Sequence, residues 1–209
     1  VLMIDKNRPE IKFVSPVSGE VTAVNRGEKR KVLSIVVKPD AQIEYEEFGK
    51  KNVASLQGAE VKEVLLNAGM WPFIKQRPYD IVAAPLDTPR DIFVSAFYSA
   101  PLAPNFDFIV KGQEADFQTG LNALAKLTNG KVYVGVRSGS VVSGMKGVEI
   151  VEVEGPHPAA NVGVQINHIK PVNKGEVVWT VNPADVIVIG RLFNKGCLLY
   201  TSPSPRDRG

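Results

Sequence analysis

Two stretches hold residue types that could do chemistry. "GPHPAANVGVQINHI" (155–169) carries both histidines of the chain, His157 and His168. A pocket built around them would hold two groups that exchange protons near neutral pH. "GSVVSGMKG" (139–147) follows an apolar run and sets Gly139 and Gly144 at the G-x-x-x-x-G spacing of a loop that cradles phosphates.

Each stretch also has a plainer reading. Proline on both sides of His157 stiffens the backbone and pushes the preceding residues away from helix, and Gly155 permits a sharp turn. That combination describes a rigid crossing, after which "NVGVQINHI" runs as a short helix or extended piece towards Pro171. In the glycine stretch, Met145 stands where a phosphate loop needs lysine, and Gly147 where it needs serine or threonine. Lys146 is one residue out of register. Gly139, Gly144 and Lys146 are therefore a phosphate-loop candidate set against a flexible strand-to-helix loop.

Other chemistry finds less support. Two histidines eleven residues apart, with one cysteine in the chain, cannot supply three metal ligands unless carboxylates join, so no metal site is expected. Glu149, Glu152 and Glu154 read as a solvated strand edge. The lone Cys197 excludes an internal disulfide and fits a cytosolic setting. Neither a G-x-S-x-G nucleophile turn nor a G-x-G-x-x-G after a strand occurs. The net charge is only +3, and the best basic run, "RGEKRK" (26–31), reads as a solvated hairpin loop, so nucleic acid is not an expected partner.

The elements that must position these residues follow from periodicity. Residues 1–38 alternate apolar and polar residues around Ser15-Pro16-Val17-Ser18-Gly19 and an Arg26-Gly27 hairpin, the pattern of half a small β-sandwich. Residues 39–52 have little periodicity and read as a linker. Leu56, Val61, Val64 and Leu65 recur at helical spacing and stop at Asn67-Ala68-Gly69. Phe117, Leu121, Leu124 and Leu127 mark a second helix, closed by Asn129-Gly130. "DIFVSAFYS" (91–99), "KVYVGV" (131–136), "VEIVEVEG" (148–155), "EVVWTV" (176–181) and "ADVIVIGRLF" (184–193) read as strands. Strand–helix alternation predicts an α/β domain with a largely parallel sheet, preceded by an all-β module.

Longer stretches carry a likeness that composition does not. "FVSPVSGEVTAVNRGEKRKVLSIVV", "LLNAGMWPFIKQRPYD", "ALAKLTNGKVYVGV", "EGPHPAANVGVQINHIKPV" and "VVWTVNPADVIVIGRLFNKG" together resemble the A subunits of the sodium-translocating NADH:quinone oxidoreductases (the NQR complexes), in order from residue 1 to 196. The most specific are Gly155-Pro156-His157-Pro158-Ala159 and the run from Trp71 to Pro78. The resemblance implies a partial biotinyl/lipoyl-like β-sandwich over 1–38. A linker over 39–52 and an α/β domain over 53–196 like the NADH-binding flavoprotein subunit of respiratory complex I follow. Related chains occur in the Rnf electron-transport complex. Residues 197–209, "CLLYTSPSPRDRG", resemble nothing in the family and read as an artefactual tail. Against full-length members, which continue into a β-grasp domain and a helical end, the chain reads as truncated at both ends.

For function, the resemblance implies a peripheral subunit on the cytoplasmic side of the bacterial inner membrane, without a transmembrane segment. Its partners would be the other subunits of the complex, chiefly a membrane-embedded one. The complex couples electron transfer from NADH to ubiquinone to Na⁺ export. FMN and NADH would sit in partner subunits, with no cofactor on this chain and ubiquinone its possible ligand. The chain would scaffold the assembly, contact quinone, or both, with no self-contained catalytic centre. Trp71, Phe73, His157 and His168 are the expected quinone contacts, a histidine donating to a quinone carbonyl. Against this stands the reading of Trp71 and Phe73 as core. A stand-alone nucleotide- or flavin-binding redox protein of complex I-like fold is the alternative, supported only by the Gly139–Gly144 spacing. A biotinyl/lipoyl carrier is a third, although Lys29 and Lys31 lie in no recognisable attachment motif.

Overall fold

Alternation at period two builds the central sheet. The computed structural model describes residues 1–198, so the last eleven residues of the expected tail lie outside the described residues. In chain order the elements begin with strands β1 (Met3–Ile4), β2 (Lys12–Phe13), β3 (Gly19–Arg26) and β4 (Val32–Pro39). Helix α1 (Gly58–Asn67) leads to β5 (Lys75–Arg77), β6 (Ile81–Val82) and β7 (Ile92–Ser95). Helices α2 (Phe106–Val110) and α3 (Glu114–Ala125) precede β8 (Val132–Val136) and β9 (Glu149–Glu152). Helix α4 (Val162–Ile169), β10 (Val178–Thr180) and helix α5 (Pro183–Lys195) complete the chain.

Six strands form one mixed sheet in the order β6-β5-β10-β7-β8-β9. The four strands β10, β7, β8 and β9 run parallel, whereas β5 and β6 add an antiparallel edge. The sheet is largely parallel as expected, and β5 and β6 make it mixed at one edge. The edge strands are only three and two residues long, too short to show alternation in sequence.

Side chains on the parallel strands alternate between two cores. Ile92, Val94, Val132, Val134, Val136 and Trp179 face a large cluster shared with α1, α3 and α5. Phe93, Tyr133 and Val178 point the other way and pack against Val162, Ile166 and Ile169 of α4. Helices therefore cover both faces, as parallel strands buried on both sides require.

The segment "ADVIVIGRLF", expected as a strand, is the helix α5, and the correction has a local cause. Asn182 caps the helix by accepting from the Ala184 N–H at 3.0 Å, Pro183 occupies its first turn, and Gly196 ends it at φ +79°. Packing overrides the strand preference of the Val/Ile run: Val186, Ile189 and Phe193 are buried against α3. The two helices touch through their backbones. A Cβ on Gly190 would collide with the Asp116 carbonyl oxygen and the Gly120 nitrogen, so only glycine fits at this crossing.

The predicted helices α1 and α3 are present. Phe117, Leu121 and Leu124 are fully buried on one face of α3. Helix α1 stops where Gly69 adopts φ +71°, its N–H bonding the Leu66 carbonyl at 3.2 Å while Met70 N–H reaches the Leu65 carbonyl at 2.9 Å.

The N-terminal strands form two separate two-stranded sheets, β1-β2 and β3-β4. The first is seated on the α/β body: Ile11 is fully buried in the main core and the Arg8 guanidinium donates to the Val82 carbonyl at 2.9 Å. The β3-β4 hairpin leaves Val21, Val24, Leu33 and Val36 exposed. Between the hairpin and α1, Phe48 packs on the core and Lys51 N–H bonds the Phe193 carbonyl at 3.0 Å.

Candidate functional site

The chain leaves β7 for β8 on one side of the sheet and returns as β10 on the other. At such a reversal the connections beyond the carboxyl ends of the two strands diverge and leave a crevice, the usual ligand position in open α/β sheets. A cavity of about 530 Å³ occupies this place. Ser95 at the end of β7 and Phe97 and Tyr98 just after it line the cavity, and Thr180, Asn182 and Asp185 enter from β10 and the first turn of α5. Phe13, Phe73, Lys75 and Arg77 line it from β2 and the antiparallel edge, and Ala160 and Val162 from the start of α4. The walls are largely apolar and aromatic with a few polar groups, the make-up of a small-molecule site.

Its electrostatics centre on α5. Burial pushes the Asp185 carboxyl up to about 6, and the charge of Lys75 offsets only part of this. Burial also raises the Tyr98 phenol, which donates to Asn182 Oδ1 at 3.3 Å and faces the Asp185 charge. Arg77 pairs with Asp80 at 3.4 Å, yet its Nε is buried without an acceptor among the described residues.

The histidine-bearing stretch forms part of the rim. Gln165, projecting from α4, donates to Ser95 Oγ at 2.9 Å and to the Ala159 carbonyl at 3.1 Å. Ser95 Oγ in turn donates to the Ala160 carbonyl at 2.8 Å, and Ser99 Oγ accepts from Ala160 N–H at 3.1 Å. These bonds pin residues 159–160 to the end of β7, with His157–Pro158 a cis peptide just before them. His157 is exposed, its Nδ1 3.2 Å from Ser99 Oγ.

The four expected quinone contacts are not brought together. Phe73 lines the crevice, and His157 stands on the rim segment without lining it. His168 is exposed near the end of α4. Trp71 is fully buried, its indole N–H bonded to the Ala83 carbonyl at 2.8 Å and its ring edge-on to Trp179 at 5.4 Å, so it is a core residue.

The glycine loop has its anion already. Asp107 Oδ1 accepts from Ser140 Oγ at 2.6 Å and from Val141 N–H at 3.2 Å, which places a carboxylate against the donors that a phosphate would use. A four-residue 3₁₀ turn over Val141–Gly144 follows, so no α-helix N-terminus points at the loop. Lys146 is exposed and its backbone is bonded to Gln118 of α3. Gly139, Gly144 and Lys146 thus serve a connection between β8 and β9. Among the described residues no group of three or more His, Cys, Asp or Glu side chains is arranged to hold a metal ion, and no helix is long and apolar enough to cross a membrane.

Sequence reading missed Lys75, Arg77, Tyr98 and Asp185. For Asp185 a signal exists: Asn182-Pro183-Ala184-Asp185 after "EVVWTV" is a helix start that places an acidic residue in the first turn. Taking the following Val/Ile run as a strand concealed it.

Fold and crevice define an α/β domain with a ligand-type cleft at its crossover, preceded by β structure. Two family models match these parts in order: one described as "NqrA N-terminal barrel-sandwich hybrid domain" over residues 1–40, and one described as "NqrA second alpha/beta domain" over residues 56–198. The chain belongs to the NqrA family. The second match runs to Leu198, two residues beyond Gly196. Among curated relatives, the A subunit of the Na(+)-translocating NADH-quinone reductase of Photorhabdus laumondii is 38% identical over 205 residues, covering 96% of this chain and 46% of that protein. The proteins of the same name from Neisseria meningitidis serogroup A and Yersinia pseudotuberculosis serotype O:1b are 39% and 37% identical, covering 95% and 93% of this chain and 45% and 44% of their own lengths. The chain spans about half the length of the curated relatives it matches.

Proposed function

We propose that this chain serves as the peripheral NqrA-type component of a sodium-translocating NADH:quinone reductase, in which it scaffolds the assembly and receives a quinone-type ring in the crevice between β7 and β10. The observation that carries the reading is the crevice itself. Its surface is mostly apolar, with Phe73, Phe97 and Tyr98 on its walls and polar side chains from β5, β10 and the start of α5 among them, and it is placed at the sheet reversal of a member of this family. A flat, weakly polar ring with two carbonyl oxygens suits such walls.

The scaffolding half is supported by the β3-β4 hairpin, whose exposed valines and leucine suit contact with a neighbouring subunit. Electron carriers such as FMN, and the NADH site, belong on this reading to partner subunits, the principal one embedded in the membrane, with this chain on its cytoplasmic side. The likeness of the α/β domain to the flavoprotein subunit of complex I is part of the same proposal, and extends to fold without cofactor. The Asp107 carboxylate in the glycine loop argues against the nucleotide-binding alternative.

The test is titration of a short-chain ubiquinone into the purified chain, followed by backbone amide NMR. Saturable shifts at Ser95–Tyr98 and Thr180–Asp185, with none at Gly139–Lys146, are expected. Absence of saturable shifts along the crevice up to the solubility limit overturns the quinone assignment.

A further inference from the structure

We infer that the crevice reads its ligand through a row of hydrogen-bond donors on the β5–β10 ladder, with Thr180 and Lys75 at its centre, and that the row selects a quinone ring carrying oxygens on neighbouring carbons. The inference rests on the crevice being the quinone-type site proposed above, and adds the side chains that read the ring and the substitution pattern they favour.

Strand register places the row. In the antiparallel pair of β10 with β5, Thr180 stands opposite Lys75 and Val178 opposite Arg77. Side chains directly opposite one another share a face of the sheet, their Cβ atoms about 5 Å apart, and residues two apart on a strand share it too. Val178 packs towards α4, so Thr180, Lys75 and Arg77 project on that same side. Helix α4 covers Phe93 and Val178, while Thr180, Lys75 and Arg77 line the cavity, facing it together with Ala160 and Val162.

Each member of the row has a bond left to give. Thr180 is only 5% exposed, yet its hydroxyl meets no partner among the described residues. Buried hydroxyls ordinarily have a partner, so one that borders a cavity without a protein partner points to a ligand. Lys75 Nζ forms no hydrogen bond or ion pair among the described residues. Arg77 pairs with Asp80 through a terminal nitrogen and keeps a buried Nε without an acceptor. Asn182, at the start of α5, adds its amide N–H groups beside the row; its Oδ1 is taken by the Ala184 N–H and the Tyr98 hydroxyl.

Charge and donor count then choose the ligand. Asp80 and Asp185 stand in the lining with Lys75 and Arg77, two carboxylates to two cations, so the row does not gather an anion. Oxygens that accept without carrying charge fit it. One carbonyl oxygen offers two lone pairs. Three neighbouring side chains with donors to fill ask for a second oxygen beside the first, which a ring carbonyl flanked by an ether oxygen provides.

The experiment is titration of a short-chain ubiquinone, whose ring carries two methoxy groups, into the full chain and into Thr180→Val, Thr180→Ser and Lys75→Met. Duroquinone, with methyl groups at all four ring positions, is the second probe. Thr180→Val keeps the shape and removes the hydroxyl, so ubiquinone affinity should fall about fivefold, while Thr180→Ser should stay within about twofold of the wild type. Lys75→Met removes a charge-assisted donor and should cost about tenfold or more. Because the Thr180 hydroxyl has no protein partner, Thr180→Val should leave the urea midpoint unchanged or raised. A lowered midpoint, or a serine variant as weak as the valine one, overturns the role of the hydroxyl. The wild type should bind duroquinone about tenfold more weakly than ubiquinone, and Lys75→Met should narrow that gap. Equal wild-type affinity for the two rings overturns the neighbouring-oxygen assignment. Thr180→Val or Lys75→Met binding ubiquinone as the wild type does overturns the donor row and leaves the crevice reading intact. No saturable binding to the wild type overturns the crevice reading itself.

Discussion

Replacing Asp185 with asparagine should stabilise the protein at neutral and alkaline pH and do nothing in strong acid. The folded state holds this carboxyl at about 6, against 3.8 for the unfolded chain. Between these values the folded state binds the proton and the unfolded state does not, so stability contributed by this group is fully present below pH 3.8 and is lost as pH rises through about 6. Each pH unit of that separation corresponds to about 1.4 kcal/mol, which puts the upper bound near 3 kcal/mol. Two corrections shrink it. The side chain keeps some contact with water, and an acid in the first turn of a helix gains about 0.3–1 kcal/mol from the helix dipole that asparagine forgoes. A gain of about 1–2 kcal/mol at pH 8 remains, fading to about zero near pH 4. Urea unfolding of both proteins across this range measures it, and the difference between them matters because other carboxylates move the absolute stabilities. A variant that is less stable at pH 8, or a difference that does not change with pH, would refute the claim that an uncompensated anion sits in the crevice.

Two further substitutions probe the frame around the site. Gly190→Ala should lower stability by about 2 kcal/mol: helix propensity favours alanine by about 1 kcal/mol, but the added methyl meets backbone of α3 that cannot turn aside, so the helices must separate along their buried seam. A urea midpoint equal to or above the wild type would show that the crossing is looser than described. Asp91→Asn should cost about 2–4 kcal/mol at neutral pH, because it removes the fully buried carboxylate that Lys170 reaches at 2.7 Å and Arg90 at 2.8 Å. Burial pushes this carboxyl up, but the Lys170 hydrogen bond, the Lys131 N–H at 3.1 Å and Arg90 outweigh it and hold it below its ordinary value. Its contribution is therefore present above that ordinary value and lost as pH falls through the lower, folded one. The penalty of Asp91→Asn should shrink in acid, opposite in trend to Asp185→Asn, and equal penalties at pH 7 and in acid would refute the assignment.

How far the fold could be read from sequence depended on whether the deciding signal was local. Phe117, Leu121 and Leu124 declared α3 because helical spacing alone buries them on one face, and Gly69 declared the end of α1 because the turn needs its positive φ. The parallel strands were readable because burial on both faces yields continuous apolar runs such as "KVYVGV". Helix α5 was misread because Val186, Ile187, Val188 and Ile189 satisfy a strand as well as a helix. What decides between them is packing on α3, which lies far back along the chain. Edge strand β5 is defined by its pairing with β10, which no local pattern announces, and the two-residue β6 pairs with β5 in turn.

The site was harder to read for a related reason. Histidines draw attention because their side chains titrate near neutrality on their own, whereas an aspartate does so only when its surroundings force it. His157 and His168 are exposed, and nothing among the described residues enlists His168. Asp185 acquires its character from a wall made by Phe73, Tyr98 and Val162, contributed by segments distant along the chain. The same logic runs in reverse at Gly139–Gly144, where a sequence spacing that suits phosphate meets an aspartate from α2 instead. At both places the chemistry belongs to the pairing of segments, so a carboxylate that the sequence presents as ordinary is pushed towards its neutral form by burial in one setting and anchors a loop in the other.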